Sequence, residues 1–126
     1  EFQTASPAET PFLMAQLIDN LAYRLEVADS DDDKLLAILD THIQFERIHP
    51  FSDGNGRTGR IVMNYSLLQQ GFPPLIIEKE TKAQYIEFLG NQDIDGFVQF
   101  AKDILEKEHK RMQAFRNMDQ ERIEFK

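Results

Sequence analysis

The sequence has 126 residues, a mass of 14.7 kDa and a formal net charge of −8, which suits one compact domain rather than two. The acidic excess has the wrong sign for binding duplex nucleic acid, and we expect neither a membrane span nor a signal peptide in this segment. The absence of Cys excludes disulfides and thiolate sites and fits a reducing compartment, so we expect the cytoplasm or a host cytosol that receives the protein.

The apolar residues before position 50 recur at the spacing of two helices. Thr10 and Pro11 predict the N-cap and the first residue of the first helix, which we expect to be packed. Its predicted inward face consists of Leu13, Met14, Leu17, Ile18, Leu21 and Leu25. The acidic run 29–33 predicts a solvated turn that favours the start of the next helix. A calcium loop is the alternative, but the ligand spacing of an EF-hand is absent. The second helix must end at His49, because Pro50 disfavours a helical conformation in the residue before it.

A third helix is predicted from Arg57 to Gln70, with Gly71 placed as its C-terminal stop. Its predicted inward residues are Ile61, Val62, Tyr65 and Leu68. The segment 72–74 predicts a rigid turn because it contains two prolines, and 75–77 is a short apolar run that we predict to be extended.

Two more helices complete the predicted fold. A short one covers residues 79–89, and after a turn at 90–93 a last helix follows. The predicted inward residues of these two helices are Tyr85, Phe88, Leu89, Phe97, Phe100, Ile104 and Leu105. From residue 106 the pattern becomes strongly charged, which predicts a solvated helix or a docking segment. The sequence therefore predicts an all-α fold.

Residues 49–60 place ionisable side chains and three glycines between two predicted helices, in the order His-Pro-Phe-Ser-Asp-Gly-Asn-Gly-Arg-Thr-Gly-Arg. Backbone amides around Gly54 and Gly56 suit a concave anion site, and the next helix directs its N-terminus to the same point. Arg57 and Arg60 are three positions apart, so both lie on one helical face and can donate to phosphate oxygens. The segment therefore predicts a polyphosphate site.

Two side chains of this segment suggest chemistry. Asp53 is its only carboxylate, and Mg²⁺ is commonly held by one or two carboxylates together with substrate phosphates, so we predict Asp53 as a metal ligand. The imidazole of His49 suits a general base that accepts a proton near neutral pH. Phe51 is predicted to anchor the loop in the core, and His42 to pack or to support the site.

Two well-known phosphate-binding motifs are excluded. Gly54, Gly56 and Gly59 match the glycine spacing of the dinucleotide-binding fingerprint, and Glu78 and Glu80 lie near the place of its acidic residue. That fingerprint requires a strand before the first glycine, whereas this pattern predicts a helix there. A P-loop is excluded because neither Gly-Lys-Ser nor Gly-Lys-Thr occurs.

Residues 49–60 resemble the signature of the Fic family, His-Pro-Phe-x-Asp/Glu-Gly-Asn-Gly-Arg-x-x-Arg, without a mismatch. The similarity extends outward to residues 42–48, Met63-Asn64, 71–74 and Tyr85. It implies an all-α Fic core, a compact helical bundle with the motif loop between two central helices.

On this resemblance we predict a single Fic core domain over residues 1–126. Residues 1–10 would be the remnant of a flap that aligns the target's backbone, and residues 106–126 a charged C-terminal helix or tail.

The family's activity, as implied by the resemblance, is transfer of AMP from ATP to a Ser, Thr or Tyr hydroxyl of a target protein, with Mg²⁺ as cofactor and release of pyrophosphate. Carried over by position, His49 is the general base and Asp53 the Mg²⁺ ligand. The residues expected to bind the nucleotide and its phosphates are Gly54, Asn55, Gly56, Arg57, Arg60, Tyr85 and Asn91. Of these, Arg60 would hold the γ-phosphate, Tyr85 would lie beside the adenine and Asn91 would contact the base.

Departures from relatives refine this expectation. Death-on-curing toxins, which phosphorylate their targets, carry Lys at the position of Gly56 and lack the second Arg, so Gly56 and Arg60 favour AMP transfer.

The inhibitory pattern Ser/Thr-x-x-x-Glu-Gly/Asn does not occur in this chain. An inhibitory helix from elsewhere, or an antitoxin-like partner, is therefore expected to act near Arg60, and we expect no nucleic-acid or membrane partner. Transfer of another nucleotide or of phosphocholine, removal of AMP, and nucleotide binding without turnover remain alternatives.

Overall fold

The computed structural model describes residues 6–50 and 53–124, with side chains up to residue 120. Over these residues it consists of helices and connecting segments and contains no strand. In chain order the helices are α1 (Thr10–Val27), α2 (Asp31–Ile48), α3 (Asn55–Gln69), α4 (Lys82–Asn91) and α5 (Ile94–Glu124). The predicted all-α class and the five predicted helices are therefore confirmed. The predicted flap remnant falls partly, and the predicted anchor Phe51 wholly, outside the described residues.

The helix α2 forms the centre of the fold and packs against α1, α3 and α5, while α4 packs against α5. Its apolar residues at helical spacing are buried almost completely: Leu35, Ala37, Ile38, Leu39, Ile43, Phe45 and Ile48. Burial of large aliphatic and aromatic side chains stabilises a fold by roughly 1.5–3 kcal/mol each. Because α2 is covered on several sides, its C-terminal end is a rigid support for the motif loop.

Both ends of α2 follow the sequence signals. The hydroxyl of Ser30 accepts a hydrogen bond from the backbone N–H of Asp33 at 3.1 Å, and the acidic residues 31–33 form the first turn. At the other end His49 adopts a left-handed conformation with φ 54°, and Pro50 follows. The predicted stop at His49 is confirmed. The predicted acidic turn is shorter than expected, because residues 31–33 already belong to α2 and only 29–30 lie before it.

The helix α3 ends at Gln69, one residue before the predicted end, and Gly71, the predicted stop, follows with a positive φ of 87°. The N–H of Phe72 bonds to the carbonyl of Leu67 at 2.9 Å, and that of Gly71 bonds to Leu68 at 3.1 Å, which together form a Schellman motif. Beyond it, residues 72–78 carry no regular structure, and the N–H of Leu75 bonds to the side chain of Asn64 at 2.7 Å.

The predicted inward face of α3 is wrong. Ile61, Tyr65 and Leu68 are all more than half exposed, and Val62 is exposed as well. The buried face consists of Asn55, Gly59, Met63, Ser66 and Leu67. The helix carries two apolar stripes. The stripe that includes Gly59 faces α2, because Gly59 has no side chain and so permits close approach of the two helices.

The helix α1 is less packed than predicted and begins at Thr10 rather than after it, so Thr10 is not the N-cap. None of its residues is fully buried, and Ile18 is 61% exposed. Only Leu21 and Leu25 pack as half-buried residues against the core, because α1 lies on α2 as an outer helix. A salt bridge of 2.7 Å between Arg24 and Asp40 joins the two helices.

The last two helices differ from the predictions mainly in their ends. The helix α4 begins three residues late, at Lys82, and continues to Asn91, so the turn before α5 is shorter than predicted. Asp93 accepts the N–H of Gly96 at 2.9 Å and thereby caps the start of α5. Beyond residue 106 α5 continues as a helix whose described side chains are mostly exposed. No helix in the described part of the chain is both long and apolar enough to cross a membrane.

Candidate active site

The motif loop joins the end of α2 to the start of α3. His49 is exposed at the C-terminal end of α2, and Gly54 has a φ of 76° immediately before α3. Gly adopts a positive φ without the steric cost that a side chain brings, so Gly54 lets the chain turn into the helix. The helix begins at Asn55, two residues earlier than predicted, and Asn55 is buried at its first position. The first amides of α3 therefore follow the loop directly, and the N-terminus of a helix is a feature that commonly binds anions.

Asp53 lies exposed beside this helix end. Its Oδ1 accepts the backbone N–H of Gly54 at 2.8 Å, which orients the carboxylate at the mouth of the loop. Among the described residues no three His, Asp or Glu side chains converge as ligands for a metal ion. One oriented, solvent-facing carboxylate fits the coordination that Mg²⁺ usually has at nucleotides, with substrate phosphates and waters as its other ligands.

The two arginines of the motif occupy different environments. Arg57 is exposed on the first turn of α3, whereas Arg60 is half-buried. The guanidinium of Arg60 lies against Gly56, because a Cβ placed on that glycine would be 3.0 Å from Nη1 of Arg60. The absence of a side chain at Gly56 therefore leaves the space in which the Arg60 guanidinium lies.

A layer of buried polar side chains lies behind the loop. Nε2 of His42 is 2.6 Å from the hydroxyl oxygen of Tyr85, and the two rings stack with centroids 5.8 Å apart. Burial lowers the pKa of His42 to about 4; the backbone of Gly59 opposes this shift, and the charge of Arg60 adds to it. His42 is therefore neutral at neutral pH and packs in the core, as the sequence predicts.

Glu46 is buried in the same layer, and its Oε1 has no hydrogen-bond partner among the described residues. Burial raises the pKa of this carboxyl, while the nearby charges of Arg60 and His49 oppose the shift. Gly59 of α3 packs directly on this group, since a Cβ there would collide with Oε1 of Glu46. The charges of the base candidate His49 and of the phosphate-binding candidate Arg60 thus both act on this buried carboxyl.

The structure brings most of the predicted site residues to one place. His49, Asp53, Gly54, Asn55, Gly56, Arg57 and Arg60 all lie on the loop or the first two turns of α3. Tyr85 is different: it is 2% exposed, so its ring offers an adenine no surface, and its placement does not support the predicted contact. Asn91 is exposed at the end of α4, and its contact with the base stays a prediction.

Sequence reasoning missed the burial of Glu46 beside the motif loop. The signal was available, since a Glu three residues before His49 lies among the buried apolar residues of α2. A charged residue on the apolar face of a helix is buried only at a cost, so such a position merits attention before the structure is known.

A family model described as the Fic/DOC family matches residues 1–67, which is more than half of the sequence and includes the whole loop. The chain belongs to the Fic/DOC family. Two solved structures support this assignment of the Fic fold. A Fic-domain-containing signaling protein from Bacteroides thetaiotaomicron superposes with a TM-score of 0.74 at 30% identity, covering 82% of this chain and 44% of that one. Fic-1 from C. elegans superposes with a TM-score of 0.71 at 28% identity, covering 88% and 34% respectively.

Curated relatives of this Fic chain carry the name protein adenylyltransferase Fic. The protein from Drosophila grimshawi is 48% identical over 69 residues, and that from Aedes aegypti is 45% identical over 69 residues. The matched region covers 52% of this chain but only 14% of each of these relatives. The similarity thus concerns a small part of much longer proteins.

Proposed function

We propose that this Fic domain is a protein adenylyltransferase that transfers AMP from ATP to a Ser, Thr or Tyr hydroxyl of a target protein in the cytoplasm or a host cytosol. The observation that carries the proposal is the motif loop: an exposed imidazole, an exposed carboxylate and two arginines gathered at the N-terminal end of α3. The names of the curated relatives support the same reaction.

His49 is the proposed general base. Its position at the solvent-exposed end of α2 allows a target hydroxyl to approach, and its imidazole can accept the hydroxyl proton. As the proton moves to the imidazole, the hydroxyl oxygen bonds to the α-phosphorus of ATP. The bond from this phosphorus to the bridging oxygen breaks, and pyrophosphate leaves with that electron pair.

The phosphate chain of ATP is proposed to lie over the start of α3. The amides that follow Gly54 donate to phosphate oxygens, and Asn55 supports this turn from the buried side. Arg57 and Arg60 add positive charge from the same helix, with Arg60 assigned to the γ-phosphate. Because seating of the triphosphate decides which phosphorus faces the nucleophile, these contacts would favour AMP over phosphate transfer.

Asp53 is the residue proposed to hold Mg²⁺. When bound, the ion would neutralise charge on the phosphates. The Gly54 amide orients the Asp53 carboxylate through a hydrogen bond, and this hydrogen bond is present without nucleotide.

Regulation is proposed to act at Arg60. An inhibitory helix or an antitoxin-like partner with an acidic side chain would compete with the γ-phosphate for this guanidinium. A peptide of the inhibitory pattern should weaken ATP binding by the chain but not by its Arg60→Ala variant. Equal ATP affinity with and without the peptide in both proteins would contradict this regulation.

The proposed activity is tested by incubating the chain with Mg²⁺ and ATP labelled at either the α- or the γ-phosphorus, with and without a cell lysate. We expect protein label from the α position only, and its loss in His49→Ala with ATP binding retained. The matched control is His109→Ala, which removes an exposed His from α5 far along the chain.

Label from the γ position would instead indicate phosphorylation of the target. Loss of ATP binding in His49→Ala would contradict the role of a general base, because that role concerns the hydroxyl proton and not the ground-state nucleotide contacts.

A further inference from the structure

An apolar cavity of about 250 Å³ lies between α1, α2 and α3. The buried side chains of Ile38, His42 and Met63 line its inner part. Ile18 of α1 and Val62 of α3 also line it, and both are exposed. The cavity therefore opens to solvent between these two helices.

The cavity is distinct from the proposed nucleotide site. Among the described residues of the motif loop, Gly59 alone lines it, and none of the residues proposed to bind nucleotide or metal does. Apolar cavities of about 150 Å³ are large enough for benzene, whereas pockets for drug-sized ligands begin at about 300 Å³. The volume here suits a ligand with a single aromatic ring.

The polar side chains that line the cavity are Thr41, His42 and Ser66. The hydroxyl of Thr41 donates to the carbonyl of Ala37 at 2.7 Å, and that of Ser66 donates to the carbonyl of Val62 at 2.9 Å. Each hydroxyl has thereby used its single donor. Because a buried water needs roughly two to four polar partners, these walls favour an apolar occupant over water.

His42 is the polar side chain of the cavity that keeps an unused atom. It is 2% exposed, its Nε2 lies 2.6 Å from the hydroxyl oxygen of Tyr85, and its buried Nδ1 has no hydrogen-bond partner among the described residues. The two nitrogens of an imidazole point in divergent directions, so Nδ1 is directed away from Tyr85. The ring carbon between them, Cε1, lies against Gly59, where a Cβ would be 3.2 Å away. Since Gly59 and His42 both line the cavity, the unpartnered edge of the ring faces it.

The chemistry of Nδ1 selects the polar group of a ligand. With its pKa lowered to about 4, His42 is neutral at neutral pH, so one ring nitrogen donates and the other accepts. The Tyr85 hydroxyl can pair with Nε2 in either role, which leaves Nδ1 as the donor or the acceptor. A ligand hydroxyl can pair with Nδ1 in both cases. Such a bond removes the free-energy cost of a buried polar atom without a partner.

We propose that this cavity binds a small aromatic alcohol of the size of phenol, with its ring against the apolar walls and its hydroxyl bonded to Nδ1 of His42. The site is separate from the reaction proposed above and does not depend on it. A ligand that binds only the folded chain raises the free energy of unfolding, so occupancy stabilises the packing of α1 on α2 and α3.

The test compares phenol with toluene by calorimetry, because toluene has a methyl group in place of the hydroxyl. We expect a Kd on the order of 1 mM for phenol and about fivefold weaker binding of toluene. Saturating ATP and Mg²⁺ should leave the phenol affinity unchanged. Equal affinity for the two compounds, no saturable binding of phenol, or its displacement by ATP would each overturn the proposal.

Val62→Phe places a larger side chain at the mouth of the cavity and should abolish phenol binding. Ile61→Phe is the matched control, since Ile61 is the neighbouring exposed residue of α3 and does not line the cavity. Its phenol affinity should equal that of the unsubstituted chain. Melting temperatures measured in parallel show whether each variant is folded. Undiminished binding in Val62→Phe would place phenol elsewhere and contradict the proposed site.

A measurement on the unsubstituted chain keeps the proposal testable even if Val62→Phe does not fold. In a long-range ¹H–¹⁵N NMR spectrum of the imidazole rings, phenol should shift the Nδ1 signal of His42 and leave the signals of His49 and His109 in place. Toluene should shift Nδ1 less. An unchanged Nδ1 signal at saturating phenol would overturn the proposal.

A second copy of the chain is the alternative occupant of this opening. Sedimentation velocity without ligand distinguishes the two, and we expect a monomer for the unsubstituted chain and for Val62→Phe alike. A dimer that Val62→Phe dissociates and Ile61→Phe retains would assign the cavity to a second copy instead of a ligand.

Discussion

The hydroxyl oxygen of Tyr85 lies 2.6 Å from Nε2 of His42, so that α4 and α2 are joined by a hydrogen bond inside the core. The layer that contains this bond also holds the buried carboxyl of Glu46 and borders Arg60. Buried polar groups cost free energy unless they are hydrogen-bonded, and their contribution to the free energy of unfolding depends strongly on their protonation state. The stability of this Fic domain and the order of its motif loop should therefore respond to the same substitutions.

The pH dependence of folding should show the burial of His42. Its pKa is about 4 in the folded chain and 6.5 in the unfolded one, so between these values the unfolded state binds a proton that the folded state does not. Acidification through this window should lower the free energy of unfolding by about 3 kcal/mol, with no contribution from His42 above it. Urea denaturation at a series of pH values measures this change.

The contribution of His42 is isolated by comparison with His42→Gln, whose side chain does not titrate. The difference between the two stability curves should change between about pH 6.5 and 4 and stay constant outside that range. His109→Gln, on the exposed part of α5, is the control and should run parallel to the unsubstituted chain. Parallel curves for His42→Gln would contradict the assigned burial.

Glu46 should give stability a pH dependence of the opposite sign to that of His42. Its folded-state pKa is raised by burial, so above the ordinary pKa of 4.5 the unfolded chain releases the proton more readily than the folded chain does. Stability is then lost as the pH rises through the folded-state pKa. Replacement by Gln removes the buried charge and should increase the free energy of unfolding by about 1 kcal/mol at neutral pH.

The gain in Glu46→Gln should be smaller at acidic pH, where the carboxyl is protonated in both states. Chemical denaturation at about pH 4.5 and pH 8 provides the comparison, and Glu87→Gln on the exposed face of α4 is the control. A decrease in stability at neutral pH would mean that the charge of Glu46 is fully compensated by Arg60 and His49.

The fold class, the end of α2, the close of α3 and the motif loop could be predicted because their signals are local. Pro50 stops α2, and Gly71 closes α3 through backbone hydrogen bonds. Each of these effects involves residues a few positions apart. The grouping of the motif residues could be predicted as well, because they follow one another along the chain.

The inward face of α3 and the place of Tyr85 could not be predicted, because they depend on contacts between distant residues. The stripe of Ile61 and Tyr65 is more apolar than the one with Gly59, yet close packing against α2 places the glycine inside. Hydrophobic periodicity measures the character of a stripe and not the space available to it. Likewise, the contact of Tyr85 with His42 spans 43 positions, which no local pattern encodes.

Gly59→Ala tests the close packing that sets the face of α3. A Cβ at this position would collide with Oε1 of Glu46 and would lie 3.2 Å from Cε1 of His42. We expect a loss of about 1–3 kcal/mol in the free energy of unfolding, because the two helices must separate or the buried side chains must shift. ATP affinity should fall as well, because Arg60 is the next residue in the chain and shifts with the backbone of Gly59. Gly90→Ala in α4 is the matched control. Its added Cβ meets no atom of the described residues within 4 Å, so the better helix propensity of Ala should raise stability by up to about 1 kcal/mol. Equal effects of the two substitutions on denaturant midpoints would show that helix propensity, and not contact with α2, governs position 59.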